Sequence, residues 1–183
     1  MGNPSQLFIL LPALAALLLG SCSSEEQQAS FKLCQSTYAL CTTAPCTPVA
    51  GDSVSCACEV KTGYSAGQEE CQDVKETAEG SQIRSRYYPV TSYAVCKNDR
   101  PWAWCLDKPC IIDKDNPAKA ACACTTVKEQ GPYVIVTDSY TDTTCTTGII
   151  SSATVTQITQ ITDFLKSSSE LKPPEIKVLN SPN

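Results

Sequence analysis

The chain has 183 residues, 13 of them cysteine, with 19 acidic and 14 basic side chains, a formal charge of −5 and no histidine. The missing histidine excludes Ser-His-Asp and Cys-His catalysis, histidine metal sites and imidazole acid–base work. The acidic balance gives no electrostatic reason to bind nucleic acid. Cysteine at this density means either an exported, disulfide-bonded protein or a cytosolic metal-binding one.

The first element is LFILLPALAALLL, residues 7–19. At ~1.5 Å per residue it reaches roughly 20 Å, short of a ~30 Å hydrocarbon core, and is the size of the apolar region of a secretory signal. The preceding MGNPSQ carries no Lys or Arg, which departs from the usual signal pattern. The segment ends at Leu19-Gly20-Ser21-Cys22, which resembles the lipobox of bacterial lipoproteins: an aliphatic residue, two small residues, then cysteine. The resemblance covers about the first 22 residues. It implies that residues 1–21 are a lipoprotein signal peptide and that Cys22 is lipidated and becomes the new N-terminus. The bilayer would then be a partner through acylated Cys22. The implied location is the cell envelope, and Ser23 resembles the state sorted to the outer membrane, facing the periplasm or exterior, in Gram-negative bacteria. Setting Cys22 aside leaves twelve cysteines, an even number that six bridges would consume. Residues 22–30 read as a short polar tether, on the order of 15 Å as a random coil.

Two cysteine sets follow, Cys34, Cys41, Cys46, Cys56, Cys58, Cys71 and Cys96, Cys105, Cys110, Cys122, Cys124, Cys145. The intervening lengths are 6, 4, 9, 1, 12 and 8, 4, 11, 1, 20. YALCTTAPC (38–46) aligns with WAWCLDKPC (102–110), and SCAC (55–58) with ACAC (121–124). This reads as an internally duplicated, disulfide-rich, mainly β module with long loops, the first repeat over 31–90 and the second over 91–150. Modules of this size have marginal hydrophobic cores and commonly rely on cross-links. All twelve cysteines are disulfide candidates; spacing alone leaves their pairing open.

Within the first repeat, Val54 to Val60 alternates with period 2, a half-buried strand that points Cys56 and Cys58 to one face. Bonding within Cys-x-Cys would need a strained ring, so each cysteine needs a separate partner. In the second repeat Ala120, Cys122 and Cys124 share a face in the same way. Pro45 and Pro109 make 41–46 and 105–110 turns or loops. Residues 72–90 are polar and read mostly as loop. Ser92–Cys96 and Tyr133–Asp138 are strand candidates.

The last part, 151–183, reads as a C-terminal helix and tail. Val155, Ile158, Ile161, Phe164 and Leu165 recur at helical spacing, and Glu175–Leu179 suits a short edge strand.

Few residues invite chemistry. Asp113-Lys114-Asp115-Asn116 resembles the start of a calcium loop but lacks the Gly and distant Glu of an EF-hand, and reads as a turn. Trp102, Trp104, Tyr87 and Tyr88 form a candidate binding surface, with the core as the competing use of such rings. Arg84, Arg86 and Arg100 could line an anion site, but read first as solvated charges. No metal ligand set stands out, because the cysteines are dispersed and no Cys-x-x-Cys occurs; no cofactor is implied. The expected function is a non-catalytic binding or structural module of the envelope with a protein or glycan partner. The alternatives are a histidine-free hydrolase and a thiol redox or metal-binding protein.

Overall fold

The computed structural model describes residues 30–97, 99–129, 131–146, 148–172 and 175–180. The lipobox, Cys22 and nearly all of the tether lie outside the described residues. The described chain is mainly β, with one helix and six disulfides. No described helix is long and apolar enough to cross a membrane.

Strands β1 (Lys32–Leu40), β2 (Pro45–Ala50) and β3 (Ser53–Gly67) come from the first cysteine set, and β4 (Lys75–Thr77) and β5 (Gly80–Arg84) follow it. Next come β6 (Ser92–Cys96), β7 (Trp102–Trp104), β8 (Pro109–Ile112), β9 (Lys119–Val127), β10 (Tyr133–Val136) and β11 (Ile149–Ser152). Helix α1 (Val155–Ser167) and β12 (Lys177–Val178) complete the chain. The strand at 133–138 is shorter than its sequence suggests, and residues 72–90, mostly loop as expected, also contain two short strands.

The cysteine spacing has a geometric cause. Strand β3 pairs antiparallel with β1, Leu40 opposite Glu59, so Cys41 falls opposite Cys58, to which it is bonded. Strand β2 resumes the ladder with Cys46 opposite Cys56, also bonded. Five steps from Cys41 to Cys46 thus face two steps from Cys58 to Cys56, and the three surplus residues loop out at Thr42, Thr43 and Ala44. The same happens where β9 faces β7 and β8. Trp104 opposite Thr125 carries Cys105 to its partner Cys124, and Cys110 sits opposite its partner Cys122. Both loops turn through a left-handed residue, Thr43 and Asp107, each at φ 56°; Asp is tolerated in this region, whereas β-branched Thr is strained there. Cys34–Cys71 and Cys96–Cys145 complete the bridges. In both sets the pairing is nested: first to sixth, second to fifth, third to fourth.

Each loop receives a strand from the other part of the chain. Ser151 of β11 accepts from Thr43 N (3.2 Å) and donates its N–H to Ala44 O (2.8 Å). Ser85, just after β5, accepts from Asp107 N (2.9 Å) and donates to Lys108 O (3.0 Å). Strand β11 also pairs with β2 and β7, and β5 with β8. Strands β3 and β9 pair directly, with Cys56 opposite Cys122. The ladder therefore closes twice. One circuit runs β2–β3–β9–β7–β11 and back to β2. The other runs β8–β9–β3–β1, then through the Ala39–Ser85 bridge and β5 back to β8. Two closed rings share the β3–β9 pair, and closure reduces the exposed edges that invite aggregation, β4 remaining as an edge strand.

The main core is built largely of sulfur. Four disulfides, Cys41–Cys58, Cys46–Cys56, Cys105–Cys124 and Cys110–Cys122, pack with Ala39, Ala44, Ala103, Ala120, Val54 and Ile83. Cys41 Sγ lies 3.4 Å from Cys122 Sγ, so bridges of the two sets touch. Small alanines leave room for these bonds, which fill space that larger side chains would occupy elsewhere.

A second sheet, β10–β6–β12, packs beside the first. At its edge the Asn180 amide imitates a strand residue, accepting from Val95 N (2.7 Å) and donating to Val95 O (3.0 Å). Helix α1 buries Ile158, Ile161 and Leu165. Its Thr and Ile content is poor for a helix. A capping box compensates: Gln157 N donates to Thr154 Oγ1 (3.2 Å) and Thr154 N to Gln157 Oε1 (2.9 Å).

Candidate functional site

The four candidate aromatics separate into different environments. Trp102 is 1 % exposed and stacks on Tyr133, ring centroids 6.0 Å apart. Tyr87 is half-buried, its hydroxyl donating to Ser152 O (3.3 Å), and burial raises its pKa. Trp104 is half-buried. It meets the edge of Trp102 at 6.5 Å and the tilted ring of Tyr87 at 6.1 Å. Tyr88 is 46 % exposed and lines a different cleft. The structure therefore joins Trp102, Trp104 and Tyr87, and leaves Tyr88 outside the group.

Trp104 borders a groove of about 630 Å³. Its register is fixed on both sides, by Thr125 of β9 and Ser152 of β11, and two rings hold its indole, so it forms a rigid wall. The rest of the lining is mostly polar: Asp52, Gln68, Lys108, Thr125, Thr126, Lys128 and Gln157, with Val127 the other apolar residue. Lys128 pairs with Asp52 at 3.3 Å. Gln157 is oriented by the helix cap, which occupies its oxygen and leaves its amide nitrogen as the donor. Gln68 is anchored through its backbone N–H to Asp107 Oδ2 (2.7 Å). Sequence reasoning missed these residues because they come from separate segments. The available signal was register, since a strand pairing through Trp104 brings the β9 threonines alongside it.

Asp107, which holds Gln68, joins a buried ion pair. Arg86 is almost fully buried and lies 3.4 Å from Asp107 Oδ1. It donates to Lys32 O (2.7 Å), Ser65 Oγ (3.1 Å) and Glu69 O (3.3 Å). The expectation of a solvated arginine fails here, because the ends of β1 and β3 supply acceptors that enclose the guanidinium. Burial pulls its pKa below the usual range, and Asp107 opposes this. Gly67 lies against the pair, where a Cβ would fall 2.4 Å from Asp107 Oδ1 and 2.6 Å from Arg86 Nη1.

Further clefts occur among the described residues, two of them comparable in size with each other. One of about 490 Å³ is lined by Tyr38, Tyr64, Tyr88, Lys61, Thr62 and neighbours. Burial, assisted by nearby Tyr88, raises the Tyr38 pKa to about 12. The other, about 480 Å³, gathers Glu76, Ser81, Asp113 and Lys114. There Ser81 donates to Glu76 (2.7 Å), while Asp113 Oδ1 accepts from Asp115 N (2.8 Å) and Asn116 N (3.2 Å). That is the turn expected for DKDN.

Three groups of sulfurs lie within 4.8 Å of one another: Cys41/Cys110/Cys122, Cys41/Cys105/Cys124 and Cys46/Cys56/Cys105. Each of these cysteines is in a disulfide, and metals bind thiolates. These groups become a ligand set only on reduction. No family model, no curated protein and no solved structure matches this chain.

Proposed function

We propose that the chain is a lipid-anchored binding module of a bacterial cell envelope, without chemistry of its own. Residues 1–21 act as the signal, Cys22 carries the acyl groups, and residues 22–30 tether the body close to the bilayer. The body is two copies of one module over 31–90 and 91–150, followed by a C-terminal segment over 151–183. The nested pairing and the three-residue loop in both sets support the duplication. So does the pairing of Cys56 with Cys122, because equivalent residues meet on the axis when two copies pair antiparallel.

The observation that carries the binding reading is the Trp104 groove: a fixed aromatic wall and convergent polar groups on a frame held by buried disulfides. Such preorganisation limits the entropy cost of binding. Two measurements test the proposal in the expressing bacterium. The mass of the N-terminal peptide reports acylation, and Cys22→Ser should release the protein from the membrane fraction. Immobilised body should retain a specific envelope component; retention of nothing above a reduced and alkylated control contradicts the binding role.

The hydrolase alternative would use the Glu76–Ser81–Asp113–Lys114 cleft, which places two carboxylates in one depression. Hydrolysis of envelope glycan or peptide that is lost in Glu76→Gln would favour it. The thiol alternative requires reduced protein and is decided by the thiol count.

A further inference from the structure

We propose that the Trp104 groove binds a short oligosaccharide, a reading that rests on the binding role above and names its ligand. The lining decides among ligand classes. A peptide strand would need a run of unpaired backbone donors and acceptors, but at the groove β9 is paired with β7 over 125–127, and on its other side Thr125 faces Ser53 of β3 and Thr126 N donates to Asp52 O (2.7 Å). Strand β7 is likewise held between β9 and β11. A hydrophobic partner helix would need a row of apolar contacts, and the groove supplies only Trp104 and Val127. A polyanion would meet only Lys108 as a cation not already paired in the lining, since Lys128 pairs with Asp52 (3.3 Å), on a chain of charge −5.

What remains is a neutral polyol. The weakly electropositive C–H face of a pyranose suits the negative π-face of an indole. The hydroxyls of Thr125 and Thr126, the amides of Gln68 and Gln157, and the Asp52–Lys128 pair offer alternating donors and acceptors for sugar hydroxyls. The volume of about 630 Å³ lies within the ~300–1,000 Å³ of ligand pockets. The polar lining is drawn from five separate segments, Asp52, Gln68, Lys108, 125–128 and Gln157, which favours a chain over a single ring.

The chain has two tryptophans, and Trp102 is 1 % exposed, so ligand-induced change in the indole signals reports mainly on Trp104. The test titrates the folded, disulfide-bonded body with chitotriose, cellotriose and maltotriose. Two-dimensional NMR follows the indole N–H and the Thr125–Lys128 amides. At least one trisaccharide should shift the Trp104 signal saturably; a response to chitotriose alone assigns an acetamido-bearing glycan. Thr125→Arg fills the groove from an exposed position without touching the core, and should weaken binding at least tenfold with the melting temperature unchanged. Absence of any saturable shift overturns the inference, and so does a shift that survives Thr125→Arg. If the trisaccharides fail while an envelope component is still retained, the binding role stands and only the ligand class falls. If both fail, both fall.

Discussion

Replacing Arg86 or crowding it from Gly67 should destabilise the protein through the same interaction. Arg86 is almost fully buried and ties together the end of β1 (Lys32 O), the end of β3 (Ser65 and Glu69) and the loop before β8 (Asp107). Arg86→Met leaves Asp107 and three acceptors without their cation. Breaking a buried pair from one side costs about 3–5 kcal/mol. For a chain of this size, ~2–4 °C per kcal/mol corresponds to a drop of about 6–20 °C. Gly67→Ala removes no charge, but its methyl would stand 2.4 Å from Asp107 Oδ1 and 2.6 Å from Arg86 Nη1, so one of them must move. It should cost on the order of 3 kcal/mol through the same pair. The double variant should fall well short of the sum, because the second change finds the interaction already lost. Urea denaturation with disulfides intact measures all three, provided the slope stays constant. A loss under about 1 kcal/mol for Arg86→Met, or full additivity with Gly67→Ala, would refute the reasoning.

Other expectations follow from separate features. Cys96→Ala with Cys145→Ala opens a loop of sequence separation 49 and should cost about 4 kcal/mol, with the four-disulfide core intact by peptide mapping. Tyr38 ionises near 12 in the folded protein, against 10.0 ordinarily. Its contribution should be fully present below about pH 10 and decline as the pH rises through 12, because the folded state holds the proton more tightly than the unfolded state. Tyrosinate absorbance against pH checks this, and Tyr38→Phe should flatten that part of the stability profile. Thr154→Ala removes the acceptor for Gln157 N and should cost ~1 kcal/mol by thermal melting.

Much of the fold was legible where the physics is local. The alternation around Cys56 and Cys58 requires both to face one side, and both are fully buried with partners on the neighbouring segment. The helical spacing after Thr154 and the proline-marked loops are local signals of the same kind. The two short strands within 72–90, a stretch that is otherwise loop, carry no local signal, because β5 has a single large apolar residue, Ile83, and owes its strand form to β8 across the sheet. Arg86 was misread because acceptors from Lys32 to Asp107 enclose it, and none is a sequence neighbour. The groove was half legible: the Trp-x-Trp aromatics were visible, but Asp52, Gln68 and Gln157 arrive by tertiary closure. The disulfide pairing could not be read from spacing, because it depends on three residues looping out between Cys41 and Cys46.

The central claim is that sulfur is consumed in two nested sets of cross-links packed into one core. A peptide disulfide map of the unreduced, unalkylated protein tests it most directly. The map should return Cys34–Cys71, Cys41–Cys58, Cys46–Cys56, Cys96–Cys145, Cys105–Cys124 and Cys110–Cys122. Free thiols among these twelve, or a bridge joining the two sets such as Cys41–Cys122, would contradict it.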